Sequence, residues 1–329
     1  MRIRPKMLAL AAALLLLAPL HGAVNAQATA QAWPARPITL VIPFPPGGAS
    51  DVVGRLLAQR LTESLGVPVV IDNKAGAATA IGATYVARAP KDGYTLLLSS
   101  GSTFTVTPNL NDKLPYRLED FEPVGAVATV PFAFVVKKDF PARTLQEFAA
   151  YAKAHPGKVN NATNGQGSMV HLLGELVASG LDVKLTQVHY KGAAPAMMDM
   201  IGGVVDSNVE ALTNVVPNVN AGQYRALAVL SAERLPLLPD TPTFRELGYP
   251  SVVGETWYAV FAPAGTPKTA IDRLSGAVRA VTTSPAYVEA MRKVGNEARS
   301  GTPAELLETT REQSRQWAEL IRRTNIKLE

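Results

Sequence analysis

Two short loops carry the residue types best suited to holding a small ligand: Gly47-Gly48-Ala49-Ser50-Asp51 and Thr163-Asn164-Gly165-Gln166-Gly167-Ser168. Each follows an apolar run and precedes a helical pattern. Glycine in such a turn lets the backbone approach a ligand with no Cβ in the way. The N–H groups that open the next helix, at the positive end of its dipole, then form an anion site. Ser50, Thr163 and Ser168 add hydroxyl donors. Facing each other, the two loops would hold one small anion between two lobes, although simple chain reversal accounts for either loop alone. Gly76-Ala77-Ala78-Thr79-Ala80-Ile81-Gly82 and Ser99-Ser100-Gly101-Ser102 repeat the pattern more weakly. Asp51 reads as a helix N-cap or a partner of Arg55, one turn on, in preference to a catalytic carboxylate.

Other chemistries find little support. The chain has no Cys and four His, which removes thiolate nucleophiles, iron–sulfur clusters and Cys-bearing zinc sites. No Gly-Lys-Ser/Thr phosphate loop is present and no Gly-x-Gly-x-x-Gly follows the first strand, so no nucleotide cofactor is expected. Ser168 and His171 lie three apart on one helix, but the Gly-x-Ser-x-Gly elbow of hydrolases is missing. His171 and Glu175 are four apart, and two residues do not make a metal site. The expectation is therefore no catalytic residue, no metal and no cofactor.

The elements that would position the loops alternate between strand and helix. Strand 37–43 leads into helix 51–65, with Val52, Leu56, Leu57, Leu61 and Leu65 on one stripe and Gly66 as the stop. Strand 67–72, helix 76–89 and strand 95–98 follow. After a proline-punctuated stretch the pattern resumes with strands at 124–136, 159–163, 185–190, 205–212 and 225–230. Helices at 144–155, 168–179, 194–201 and 215–220 separate them. A strand at 257–261 and helices at 268–283 and 303–323 close the chain. Repeated strand, turn and helix predicts an α/β fold: two doubly wound lobes with a ligand cleft beyond the strand ends. Residues 27–127 and 252–329 would form the first domain and 128–251 the second.

Residues 1–26 stand apart. Arg2, Arg4 and Lys6 precede an apolar run over 7–20, and Val24-Asn25-Ala26 offers small residues for cleavage. That is the pattern of a signal peptide cut after Ala26. Its removal takes three positive charges from a formal net charge of +5, leaving +2, so the basic balance does not point to nucleic acid. A 47% hydrophobic, 18% charged composition excludes a disordered chain.

A family resemblance runs through the whole mature chain. It begins at Trp33-Pro34-x-Arg36-Pro37-Ile38 and Pro43-Phe44-Pro45-Pro46-Gly47-Gly48-x-x-Asp51. It continues through Asn73-x-x-Gly76, Ala87-Arg88-Ala89-Pro90-x-Asp92-Gly93-Tyr94-Thr95-Leu96, Leu114-Pro115-Tyr116 and Asp120-Phe121. Tyr190-Lys191-Gly192, Gly202-Gly203-x-x-Asp206, Pro239-Asp240-x-Pro242-Thr243-x-x-Glu246-x-Gly248, Trp257 and Ala262-Pro263-Ala264-Gly265-Thr266-Pro267 complete it. These residues resemble the substrate-binding proteins of tripartite tricarboxylate transporters, the Bordetella uptake gene (Bug) family.

The resemblance implies a periplasmic Venus-flytrap protein that captures a small carboxylated solute and delivers it to membrane permease subunits. A monomer is expected. It implies ligand contacts from the two glycine loops, through Gly47, Gly48, Ala49, Ser50, Asp51, Thr163, Asn164, Gly165, Gly167 and Ser168, and from Gly76, Ser100, Gly192 and Ala193. Two positions depart from the commoner pattern. Asn164 replaces a smaller residue and would contact the ligand directly. Glu210 replaces an apolar or neutral residue: facing the cleft it would pair with an ammonium group, whereas capping a helix, meeting a lysine or standing solvated at the strand end, the preferred structural reading, it says nothing of the ligand. Trp257 is expected in the first lobe's core. A ligand-sensing subunit of a signalling receptor, or a secreted hydrolase using Ser168 and His171, are the alternatives.

Overall fold

The computed structural model describes residues 33–324. The expected signal peptide and its cleavage site lie outside them. The first unit is β1 (Ile38–Ile42), α1 (Ala49–Leu65), β2 (Val69–Asn73), α2 (Ala80–Ala87) and β3 (Thr95–Ser100). β1 lies between β2 and β3 and runs parallel to both. α1 buries Val53, Leu57, Leu61 and Leu65 and ends at Gly66, whose φ of 73° places it in the left-handed region. Val52 and Leu56, expected on the buried stripe, sit at its edge and are half-buried. α2 starts at Ala80, later than expected, because Ala77, Ala78 and Thr79 all have positive φ (47°, 48° and 80°) and cannot belong to a right-handed helix.

The proline-punctuated stretch contains α3 (Ser102–Thr105), α4 (Thr107–Leu110) and a 3₁₀ turn at Leu118–Asp120. β4 (Phe121–Lys137) follows as one strand of 17 residues. The second unit is α5 (Leu145–Ala154), β5 (Asn160–Thr163), α6 (Met169–Leu181), β6 (Thr186–His189), α7 (Ala193–Ile201), β7 (Ser207–Ala211), α8 (Leu212–Asn220) and β8 (Tyr224–Val229). Thr144 caps α5 as expected, its Oγ1 accepting from the Glu147 N–H at 3.1 Å. β9 (Glu255–Pro263), α9 (Lys268–Thr282), α10 (Pro285–Lys293), β10 (Glu297–Ala298) and α11 (Pro303–Thr324) end the described chain.

β4 belongs to both halves of the sheet. As far as Pro131 it pairs antiparallel with β9, which also pairs with β3; from Phe132 onward it pairs with β7 and β8. β7, β5 and β6 are parallel neighbours. The fold is α/β, with two doubly wound lobes and a cleft between them.

Each lobe has an aromatic core. Phe104, Tyr116, Phe121, Trp257 and Phe261 fill the first, with Phe104 and Phe121 edge to face at 5.2 Å. Trp257 is fully buried, and its Nε1–H donates to Gln313 Oε1 of α11 at 2.7 Å, so it is a core residue as expected. In the second lobe Phe134 meets Phe148 at 4.8 Å, while Val135, Met200 and Tyr224 pack beneath. Among the described residues no helix is long and apolar enough to cross a membrane.

Candidate functional site

In the loop between β1 and α1, Gly47 turns the chain at φ 86° and Gly48 occupies the N-cap without any side-chain cap. The N–H groups of Ala49 and Ser50, which open α1, thus lack both a capping side chain and an intrahelical acceptor, whereas those of Asp51 and Val52 reach Gly48 O. Asp51 is not the N-cap. It reaches back to accept the Gly47 N–H at 3.2 Å and meets Arg55 through two bonds of 2.9 and 3.1 Å. Asn73 Nδ2 donates to it at 3.2 Å and to Phe44 O at 3.1 Å. Burial raises the Asp51 carboxyl's proton affinity, but Arg55, Gly47 and Asn73 outweigh it and hold the group below the usual carboxylate range. Asp51 therefore braces the loop from behind.

The loop between β5 and α6 is braced differently. Gly165 and Gly167 have φ of 124° and 73°. Ser168 caps α6 by accepting the His171 N–H at 3.2 Å, and His171 Nδ1 accepts the Gly167 N–H at 3.1 Å. Burial, with the charge of His189 adding to it, lowers His171 to about 4, so it stays neutral and keeps this acceptor. Thr163 Oγ1 is 2.7 Å from His189 Nδ1 and accepts the Gly165 N–H at 3.4 Å. The bond between Ser168 and His171 runs from the His171 backbone N–H, and His171 Nδ1 is taken by Gly167, so neither contact is that of a nucleophile with its base.

Both loops reach one cavity of about 90 Å³ between the lobes. Gly48, Ala49, Ser50 and Ser100 line it from the first lobe, and Asn164, Ser168, Gly192, Ala193 and Glu210 from the second. A larger cleft of about 800 Å³ shares Asn164, Ser168 and Gly192 with it and is lined by Gly76, Gly165 and Gly167. Gly47, Asp51 and Thr163 line neither; the Asp51 carboxylate and the Thr163 hydroxyl accept backbone N–H groups of their own loops. The lobes approach closely here, since a Cβ on Gly48 would lie 3.6 Å from Ala193 Cβ.

Sequence reasoning missed several wall residues. Phe44 and Pro45 precede the first glycine loop, Met169 and Val170 open α6, and Phe132, Thr256 and Tyr258 come from β4 and β9. The Tyr258 hydroxyl bonds Ser50. Only Phe44 and Pro45 stood in a motif that could have flagged them.

Glu210 corrects an expectation. It is 1% exposed, not a solvated strand end, because β7 is a central strand between β4 and β5. Its carboxylate accepts from Ala211 N at 2.8 Å, Asn214 Nδ2 at 3.1 Å and Asn164 Nδ2 at 3.1 Å, and the Asn208 amide also reaches it. Desolvation raises its proton affinity and these donors oppose the rise. Asn164 spends its amide N–H on Glu210, and its Oδ1 is buried without a partner. Among the described residues no group of three or more His, Asp or Glu side chains is placed to hold a metal ion.

The N-termini of α1, α6 and α7, and that of α8 beside Glu210, therefore end at one cavity between two lobes. Comparison with known proteins agrees with that architecture. BugT of Bordetella pertussis is 40% identical over 307 residues, 93% of this chain and 94% of that protein. The structure of the periplasmic binding protein BugD superposes with a TM-score of 0.86 at 37% identity, covering 90% of this chain and 100% of that one. That of R. palustris Rpa4515 with adipate gives 0.87 at 33% identity, covering 90% and 99%. The model of the tripartite tricarboxylate transporter family receptor, TctC, matches residues 53–326. The chain belongs to the family of tripartite tricarboxylate transporter receptors, TctC.

Proposed function

We propose that this chain captures a small organic carboxylate between its lobes in the periplasm and delivers it to the membrane permease subunits of a tripartite tricarboxylate transporter. The observation that carries this is the convergence of the N-termini of α1, α6 and α7 on one interlobe cavity, with no lysine or arginine on its wall. A carboxylate there accepts backbone N–H bonds in the field of the dipoles, with Ser50 and Ser168 as added donors. The adipate in the Rpa4515 structure supports the ligand class. Gly48, Ala49, Ser50, Ser168, Gly192 and Ala193 would touch the ligand; Gly47, Asp51 and Thr163 hold its contacts in place. Gly76, Ser100, Asn164, Gly165 and Gly167 complete the wall.

The lobes correspond to residues 27–127 with 252–329, and to 128–251. They would close on the ligand by bending β4 near its change of partner and the β8 to β9 connection, and the permease would read the closed form. Secretion would remove residues 1–26. The chain acts as a monomer and not as an enzyme.

Native mass spectrometry of the mature protein from a periplasmic extract tests this directly. A bound acid, released on denaturation, is the expected result, together with co-isolation of permease subunits after cross-linking in membranes. Recovery of the protein in the cytoplasm, or turnover of any acid that it binds, would contradict it.

A further inference from the structure

The small cavity combines two opposite electrical features. The N-termini of α1, α6 and α7 supply a positive field. On the same wall, against Asn164 of the second loop and just before α8, stands Glu210, almost fully buried and with no cationic side chain paired to it among the described residues. A buried carboxylate beside an anion site works against a purely anionic ligand. Charge burial of this kind is tolerated when the group is hydrogen-bonded and its charge is matched.

The hydrogen bonds favour the ionised carboxylate against the desolvation that raises it. Every donor on Glu210 is an N–H, from Ala211, Asn164, Asn214 and Asn208, and none of these can accept a proton from a carboxylic acid. They also fix Asn164. Turning its amide over would set its carbonyl oxygen against the carboxylate, so the NH₂ faces Glu210 and Oδ1 faces away. That oxygen is buried without a partner, and so is Thr256 Oγ1, on a residue 4% exposed in the cavity wall. The cavity wall thus offers a carboxylate at Glu210 and unpaired oxygens at Asn164 and Thr256, which a donor-bearing cation satisfies and a second carboxylate does not.

We propose that Glu210 and the Asn164 amide bonded to it form, in the wall of the cavity, a subsite for a ligand ammonium group, so that the solute is an α-amino acid and not a plain carboxylic acid. This rests on the carboxylate-capture reading above. The α-carboxylate lies against the helix N-termini and the ammonium against Glu210, two bonds away. The side chain extends into the larger cleft, which shares Asn164 and Ser168 with the small cavity.

The test is calorimetric titration of the mature protein with amino acids and their des-amino counterparts: L-alanine against propionate, L-aspartate against succinate, L-phenylalanine against 3-phenylpropionate. In at least one pair the amino acid is expected to bind on the order of 30-fold tighter or more. Glu210→Gln should erase most of that margin while sparing the des-amino acid. Asn164→Ala should narrow it too, which covers the case in which Glu210→Gln does not fold. Equal or tighter binding of the des-amino acids, or a margin untouched by the variants, overturns the subsite and leaves carboxylate capture standing. Binding of adipate alone does the same. No binding by any acid overturns both.

Discussion

Gly192 of the second lobe stands against Pro45 of the first: a Cβ built on Gly192 would lie 2.8 Å from Pro45 Cγ. Gly192 has φ 119° and precedes α7, while Pro45 precedes the loop that opens α1. The contact joins the walls of the cavity from opposite sides, so the space at Gly192 governs how closely the lobes meet.

Gly192→Ala should therefore wedge the lobes apart. Ligand affinity is expected to fall about tenfold or more, and small-angle scattering of the ligand-saturated variant should show a larger radius than wild type. Gly203 also has a positive φ, 75°, but nothing lies within 4 Å of its would-be Cβ. Gly203→Ala thus carries backbone strain without the wedge, and should cost stability while leaving affinity unchanged.

Asp51 holds the first loop through Gly47 and Asn73 and is 6% exposed. Asp51→Asn keeps the volume but loses the charge that binds Arg55. A stability loss of about 1–2 kcal/mol by urea unfolding is expected, discounted because the Arg55 side chain is largely exposed. Affinity should fall with it. An unchanged affinity would show that the loop does not need its brace.

His171 sets a pH dependence. Its imidazole is lowered from 6.5 to about 4 by burial, with His189 adding to the effect. The folded chain therefore refuses a proton that the unfolded chain accepts, so this contribution is whole above pH 6.5 and is lost as pH falls toward 4. The slope for one such group is at most about 1.4 kcal/mol per pH unit. Glu175 on the same helix and His189 on β6 face it. Urea unfolding across this range should show a steeper loss in wild type than in His171→Gln, and ligand affinity should decline in parallel because a protonated Nδ1 cannot accept from Gly167.

The sequence made the loops legible because glycine before a helix marks a place where backbone must do the work. The strand contributions were hidden for a physical reason. Phe132, Thr256 and Tyr258 sit on strands buried on both faces, where apolar runs lack the alternation that tells inside from outside. Only the register of Phe132 against Ala211, and of Thr256 against Val130, brings them to the cavity. Glu210 was misread for the same reason, since its exposure depends on β7 being central. α10 escaped notice because only Tyr287 and Met291 of its nine residues are buried, too few to form a periodic pattern.

Thermal unfolding of the mature protein with small carboxylic and amino acids, each paired with its neutral carboxamide, tests capture at the helix N-termini most directly. At 100 times its dissociation constant a ligand stabilises the fold by about 2.7 kcal/mol, a shift of several degrees. A saturable rise in Tm with at least one acid, absent with its carboxamide, is the expected result. No shift with any acid, or an equal shift with acid and carboxamide, would contradict carboxylate capture between the lobes.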